Sequence, residues 1–203
     1  VTIDLSHAKF VDVLIDRLDL PEPTKAGLKQ ALFAKDLSKY NQLAQPLAET
    51  PFSSFINEWP WLFGNFDEVM KVVDTLPPIE ELKGIVNHLK STAAFIQQLF
   101  PKVNVTLDLS IPSPQSYYTG MAFRGFTDKS ADYLFSGGRY DDLLTNFQKV
   151  HVSAVGVAFD VDSLVERTVV QSEKPVTLIY FNQDQWQLAE AKLRELKNAT
   201  VCL

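Results

Sequence analysis

Val103, Val105, Leu107, Leu109 and Ile111 alternate strictly with Asn104, Thr106, Asp108 and Ser110. A period of two puts the apolar set on one face and the polar set on the other, so this segment predicts a strand with one buried face. Val1, Ile3 and Leu5 repeat the pattern at the start of the chain. Ser6 is placed to cap a following helix, whose apolar positions Phe10, Leu14 and Leu18 share a side until Pro21 and Pro23 end it. The best helix follows Pro77-Pro78: Ile79, Leu82, Ile85, Val86, Leu89, Ala93, Ile96 and Leu99 recur at helical spacing before Pro101 stops it. Such a helix should cover one face of a sheet.

Two more strands, near 117 to 126 and 133 to 137, flank Asp128-Lys129-Ser130, and so short a connection requires an antiparallel hairpin. Asp141 or Asp142 can start a short helix with Leu143, Leu144 and Phe147 turned inward. Ser153 to Phe159 predicts one more strand, with a helix through Val165. Gln171-Ser172-Glu173-Lys174-Pro175 is a polar linker. Beyond it, Val176 to Phe181, Asp184 to Lys197 and Ala199 to Leu203 read as strand, helix and strand. The expected organisation is a core over 1–170 and the start of a small βαβ element over 176–203.

Residues 24 to 76 differ in character, with short helices punctuated by Pro46, Pro51, Pro60 and Gly64 and plausible caps at Thr24, Asp36 and Asn65. The stretch, about 21–76, reads as a helical insertion. Its aromatic residues Phe52, Phe55, Trp59, Trp61, Phe63 and Phe66 suit either a local core or an exposed docking patch, with core packing the default. Together these elements predict an α+β fold, a mostly antiparallel sheet flanked by helices.

Composition narrows the function. The chain has 203 residues, 46% hydrophobic and 22% charged, enough for one sizeable core. No apolar run approaches the roughly 18 to 20 residues that span a bilayer, and Val1-Thr2-Ile3-Asp4 has no charged leader, so no membrane association is expected. One cysteine, Cys202, fits a reducing cytoplasm, and no His or Lys beside it would make it a nucleophile. A net charge of −6 without a basic cluster speaks against tRNA binding. His7, His88 and His151 lack metal-ligand spacing and are expected at the surface or in caps, so neither metal nor cofactor is predicted. Glu80 and Glu81 fit compensation of a helix dipole rather than acid and base catalysis.

Tyr117-Tyr118-Thr119-Gly120 and Ser136-Gly137-Gly138-Arg139-Tyr140-Asp141, fifteen residues apart, resemble the histidine pocket of histidyl-tRNA synthetases. Ser153-Ala154-Val155-Gly156-Val157-Ala158-Phe159 resembles the strand of the third class II synthetase motif. The resemblance is best over roughly 103 to 167. It implies a class II synthetase-like core whose first two motifs have no counterpart here, so a longer subunit is expected. It also implies that Tyr117, Tyr118, Gly137 and Gly138 line a pocket for an imidazole, the glycines permitting close backbone approach. On a strand, one tyrosine would instead pack inward and the other outward. Arg139 could reach a ligand carboxylate, but an ion pair with Asp141 or Asp142 is the favoured role.

The departures from the family bear on catalysis. The family's Arg-Gly-Leu-Asp run before the tyrosine pair is replaced by Ser113, Pro114, Gln115 and Ser116, and Ser163 stands where an ATP-binding arginine is expected. One guanidinium aimed at a developing phosphoryl charge contributes roughly 3 to 4 kcal/mol, which a neutral hydroxyl does not replace. No residue is therefore assigned as catalytic. This combination resembles the regulatory subunits of short-form ATP phosphoribosyltransferase. The resemblance implies a homodimer within a hetero-oligomer that activates the short catalytic subunit and confers feedback by histidine in the first step of histidine biosynthesis. A histidyl-tRNA synthetase fragment still able to form the adenylate is the alternative, and a stress-sensing pseudo-synthetase domain is a weaker one.

Overall fold

The computed structural model describes residues 1–203 except 114, 128–129, 147–151, 166–176, 183–184, 197–198 and 203. They fall into two units, Val1–Val165 and Glu166–Leu203. Along the first run β1 (Thr2–His7), α1 (Phe10–Asp16), α2 (Glu22–Ala34), α3 (Leu37–Ala44), α4 (Ser53–Glu58), β2 (Phe63–Asn65) and α5 (Phe66–Val73). They are followed by α6 (Glu80–Leu99), β3 (Asn104–Asp108), β4 (Met121–Thr127), β5 (Ser130–Arg139), β6 (Val155–Phe159) and α7 (Val161–Val165). The strands form one sheet in the order β2-β3-β1-β4-β5-β6. Only β1 and β3 pair in parallel; every other neighbour is antiparallel. The second unit holds β7 (Thr177–Tyr180), α8 (Trp186–Glu195) and β8 (Ala199–Cys202), with β7 and β8 parallel as a helical crossover requires.

The two faces of the larger sheet differ sharply. On one face the register aligns Leu107, Leu5, Phe123, Gly137 and Val157, and beside them Val105, Ile3, Gly125, Phe135 and Phe159. Leu5, Val105 and Leu107 join one core with α6, whose Leu82, Ile85, Leu89 and Ala93 are buried. Each large apolar side chain removed from water in this way contributes roughly 1.5–3 kcal/mol. On the opposite face the register aligns Thr106, Asp4, Arg124, Ser136 and Ala158, and beside them Ser6, Ala122, Gly138 and Gly156. That face carries the polar and the small residues.

Several local expectations are corrected. Ser6 is not a helix cap: pairing with β4 holds β1 extended as far as His7, and the Ser6 hydroxyl donates to the Ala122 carbonyl at 3.4 Å. The first helix ends at Asp16, ahead of the prolines. Pro21 and Pro23 instead open α2, because proline fixes φ for a first helical turn and has no N–H to leave unpaired there. Thr24 consequently lies inside α2, whereas the side chains of Asp36 and Asn65 do cap α3 and α5. The third strand is shorter than its alternation suggested, ending at Asp108. Beyond Asp142 stands a short 3-10 turn, Leu143–Asn146, in place of an α-helix; Phe147 lies outside the described residues.

Between residues 21 and 76 the chain is mainly helical, but β2 pairs with β3 at the sheet edge and so joins the main architecture. The aromatic residues divide. Phe55 and Trp59 are wholly buried, with ring centroids 5.4 Å apart, and Phe55 lies 6.4 Å from Phe10 of α1. The Trp59 indole N–H donates to the Leu109 carbonyl at 3.0 Å, and the Tyr40 hydroxyl donates to the Ile56 carbonyl at 2.7 Å. Trp61 and Phe63, by contrast, are exposed at 57% and 47%. Trp59 thus ties this helical stretch to the chain just beyond β3. Replacing Trp59 by Phe should cost about 1–3 kcal/mol, since a buried carbonyl loses its donor, and Trp59→Ala about 3–5 kcal/mol, both read by denaturant unfolding.

Candidate functional site

A cavity of about 520 Å³ opens over the polar face of the sheet. Its floor is built by Asp4, Ser6, Asp108 and Arg124, its walls by Tyr117, Tyr118, Tyr133 and Tyr140, and Ser113 and Gln115 stand at its margin. The two segments singled out in the sequence meet here through backbone pairing. The Thr119 N–H donates to the Arg139 carbonyl at 2.9 Å, and the Asp141 N–H donates to Thr119 Oγ1 at 2.9 Å. Gly120 lends its carbonyl to the Ala8 N–H at 2.9 Å. A Cβ at Gly120 would sit 3.1 Å from Arg139 Cδ, so the arginine stem packs across that glycine.

Tyr117 and Tyr118 precede β4 and occupy a turn, the Tyr118 N–H reaching the Gln115 carbonyl at 3.3 Å. Strand alternation therefore does not separate them. Their rings lie 4.9 Å apart edge to face, and Tyr140 joins them at 5.9 Å and 6.4 Å. Edge-to-face geometry is favoured by the ring quadrupoles. Burial, followed by the charge of Tyr117 and a hydrogen bond with it, raises the pKa of the Tyr118 phenol.

Gly137 and Gly156 line the cavity, and with Gly138 they also lie close to the chain's own rings and backbone. A Cβ at Gly138 would come within 2.7 Å of the Tyr118 ring, and one at Gly156 within 2.5 Å of the Tyr140 hydroxyl. On the other face a Cβ at Gly137 would meet the Gly156 carbonyl at 2.3 Å and the Phe123 ring at 2.5 Å. These glycines admit rings and backbone of the chain itself close to the sheet. The tyrosine wall then stands over a low floor.

Arg139 pairs with Asp141, its Nε–H lying 2.8 Å and 3.0 Å from the two carboxylate oxygens, and a terminal N–H reaches Ser153 Oγ at 3.3 Å. Desolvation acts to raise the Asp141 pKa, but hydrogen bonding and charge from Arg139 outweigh it and hold the carboxyl below its ordinary range. The arginine is committed to joining β5 to the segment ahead of β6. Ser113 lines the cavity, its hydroxyl donating to the Gln115 carbonyl at 3.1 Å. Ser163 lies in α7, where its N–H donates to Asp160 Oδ1 at 2.9 Å, and it is not among the lining residues.

Residues that no motif marked complete the floor. Asp4 accepts a hydrogen bond from Thr106 Oγ1 at 2.8 Å, while Asp108 Oδ1 accepts from the Ser110 N–H and hydroxyl at 3.0 Å and 2.7 Å. Burial first, opposed by the Thr106 bond, reinforced by Asp108 and opposed again by the Arg124 charge, raises the Asp4 pKa to about 6. Arg124 sits directly across from Asp4 in the β1–β4 pairing. Among the described residues it makes no side-chain hydrogen bond or ion pair. The available signal was parity: Asp4, Thr106 and Asp108 occupy the polar positions of their strands, and Arg124 falls in step with them once register is known.

His7 corrects another expectation. It is half-buried at the end of β1 and at the cavity edge, and burial, then His88, lowers its pKa to about 4. Its Nδ1 accepts the Lys9 N–H at 3.3 Å. His88 is exposed on α6, and His151 lies outside the described residues. No group of three potential metal ligands occurs among the described residues, and none of their helices is long and apolar enough to cross a membrane.

The histidyl-tRNA synthetase family model matches residues 1–164. The chain belongs to the histidyl-tRNA synthetase family. Among curated proteins it is 39% identical to the ATP phosphoribosyltransferase regulatory subunit of Lacticaseibacillus casei, over all of this chain and 53% of that protein. The chain spans about half the length of the curated relatives it matches. Among solved structures, an ATP phosphoribosyltransferase regulatory subunit/histidyl-tRNA synthetase from Bacillus halodurans aligns with a TM-score of 0.68 at 23% identity, over 98% of this chain and 53% of that one. A chain of the ATP phosphoribosyl transferase (HisG:HisZ) complex from Thermotoga maritima aligns with a TM-score of 0.53 at 18% identity, over 78% of this chain and 53% of that one. The structural neighbours show a class II synthetase-like fold.

Two outcomes test this geometry. Gly137→Ala should destabilise more than Gly138→Ala, since it meets a backbone carbonyl that cannot swing away, whereas Gly138→Ala should displace the Tyr118 ring at about 1–3 kcal/mol. Urea unfolding and the near-ultraviolet tyrosine signal report the two effects. The second concerns pH. The folded Asp4 pKa of about 6 exceeds the ordinary 3.8, so its ionisation removes stability as pH rises from about 4 to 6. His7 opposes this, because its folded value of about 4 lies below 6.5 and its contribution is lost as pH falls through that window. Asp4→Asn should therefore stabilise the protein relative to its parent at pH 7, by up to about 3 kcal/mol, with the gain shrinking toward pH 4. Thermal unfolding of both proteins across that range measures it, and a difference independent of pH would refute the assignment.

Proposed function

We propose that this chain is part of a non-catalytic regulatory subunit, one that activates short-form ATP phosphoribosyltransferase and carries histidine feedback in the first step of histidine biosynthesis. Ser113 carries the reading: at the cavity margin, where the resemblance expects an arginine, stands a neutral hydroxyl already engaged with the Gln115 carbonyl. A ligand can still be recognised by the tyrosine wall and the charged floor, but a neutral donor does little for charge building on a phosphoryl centre. Ser163 supports the same reading, since serine lacks the charged fork of a nucleotide-binding arginine. The names of the curated relatives point the same way, and the Thermotoga maritima neighbour belongs to a two-component assembly by its description.

The ligand in this reading is histidine, its imidazole among Tyr117, Tyr118 and Tyr140. The partner is the short catalytic subunit, met by a homodimer of the regulatory subunit in the cytoplasm. The net charge of −6 gives no support to tRNA binding. Mixing the intact protein with a short-form ATP phosphoribosyltransferase should raise that enzyme's turnover and make it sensitive to histidine. Histidine-dependent pyrophosphate exchange by the intact protein alone should be absent. Detectable exchange, or no effect of the mixture on either turnover or inhibition, would remove the reading.

A further inference from the structure

Among the described residues that line the cavity, Arg124 is the one lysine or arginine. It projects from the middle of β4 on the polar face, with Asp4 directly across on one side and Ser136 on the other. Asp4 is hydrogen-bonded to Thr106 and Asp108 to Ser110, and although the Arg124 charge is felt at Asp4, no ion pair joins the guanidinium to either carboxylate among the described residues. Arg139, the other arginine of the neighbourhood, is spent on Asp141. Ser113 and Arg124 line the same cavity, from a loop and from a strand. The positive charge absent from the loop is thus present on the floor.

The charges around Arg124 restrict what it can receive. Asp4 and Asp108 face the same cavity, so a polyphosphate bound to the guanidinium would lie close to two carboxylates and be repelled. A molecule with one anionic group and one cationic or N–H donor end meets no such penalty. We propose that Arg124 is the anion receptor of this cavity, taking the carboxylate of an α-amino acid whose ammonium end lies toward Asp4 and Asp108. This rests on the reading that the cavity takes histidine, and adds which group of the ligand is selected and by which residue. The planar fork of a guanidinium suits a carboxylate's two oxygens.

Calorimetric titration of the intact protein with histidine and with histamine, which lacks the carboxylate, tests this. The parent should bind histidine at least tenfold more tightly than histamine. Arg124→Gln should weaken histidine tenfold to a hundredfold, the range expected for losing a hydrogen bond to a charged group, while histamine, itself a cation, binds no more weakly than before. Histamine binding that is retained also shows that the variant folds. Equal affinity of the parent for both ligands, undiminished histidine binding by Arg124→Gln, or an equal loss of both would overturn the proposal while leaving histidine as a ligand. Tighter binding of inorganic pyrophosphate than of histidine, lost in Arg124→Gln, would make Arg124 a phosphate receptor and overturn it also. A parent protein that binds neither histidine nor histamine would instead fell the reading of the cavity, and this inference with it.

Discussion

The rings of Tyr118 and Tyr140 can lie against the sheet only where the strands beneath them carry no Cβ. Gly138 and Gly156 meet that steric condition, and the cavity depends on it. A methyl group at either position would lift a ring away from the floor and alter the space in which a ligand would stand. The same constraint orders the opposite face, where Phe123 lies over Gly137 and Phe135 over Gly125. Glycine is usually unfavourable inside a strand, because it loses more backbone entropy and packs no side chain. Here that cost is offset by aromatic contacts, with Phe123, Phe135 and Phe159 in sequence at 6.3 Å and 5.8 Å.

The electrostatics of the floor follow from how the strands pair. Asp4, Arg124 and Ser136 are far apart in the chain but share one row, so the sheet brings an acid, a cation and a hydroxyl to adjacent positions. Half-burying a carboxylate beside another is unfavourable for folding, and the raised Asp4 pKa expresses that cost. Groups held at such expense are more often found where something is bound than where a fold is merely braced. Arg139 with Asp141 is the contrasting case: a paired, largely exposed arginine that locks two segments together.

The reading as a regulator rests on a balance of charges rather than on a missing pocket. A neutral Ser113 at the margin weakens the case for phosphoryl chemistry, yet the tyrosines and the floor remain suited to a small zwitterion. The relatives' names agree with that reading, whereas the family match alone does not separate a regulator from a synthetase. Arg124 changes one part of that picture. The cavity is not stripped of positive charge; its cation comes from a strand rather than from the loop.

Much of the frame was legible in the chain. Alternation marked β1 and β3, the long apolar stripe after Pro78 marked α6, and the short connection between two strand-like segments marked the β4–β5 hairpin, because each signal is local. The two motif segments, fifteen residues apart, do come together by backbone pairing beside the cavity. What the chain could not show was register. A strand's polar positions read simply as a solvated face until pairing sets which of them stand side by side. The edge strand β2, only three residues long, carried too short a pattern to be seen. Local period therefore determined the elements and their buried faces. Tertiary structure alone decided that Asp4, Arg124 and Ser136 share a floor and that the glycines serve the chain's own rings, because both depend on contacts between residues remote in sequence.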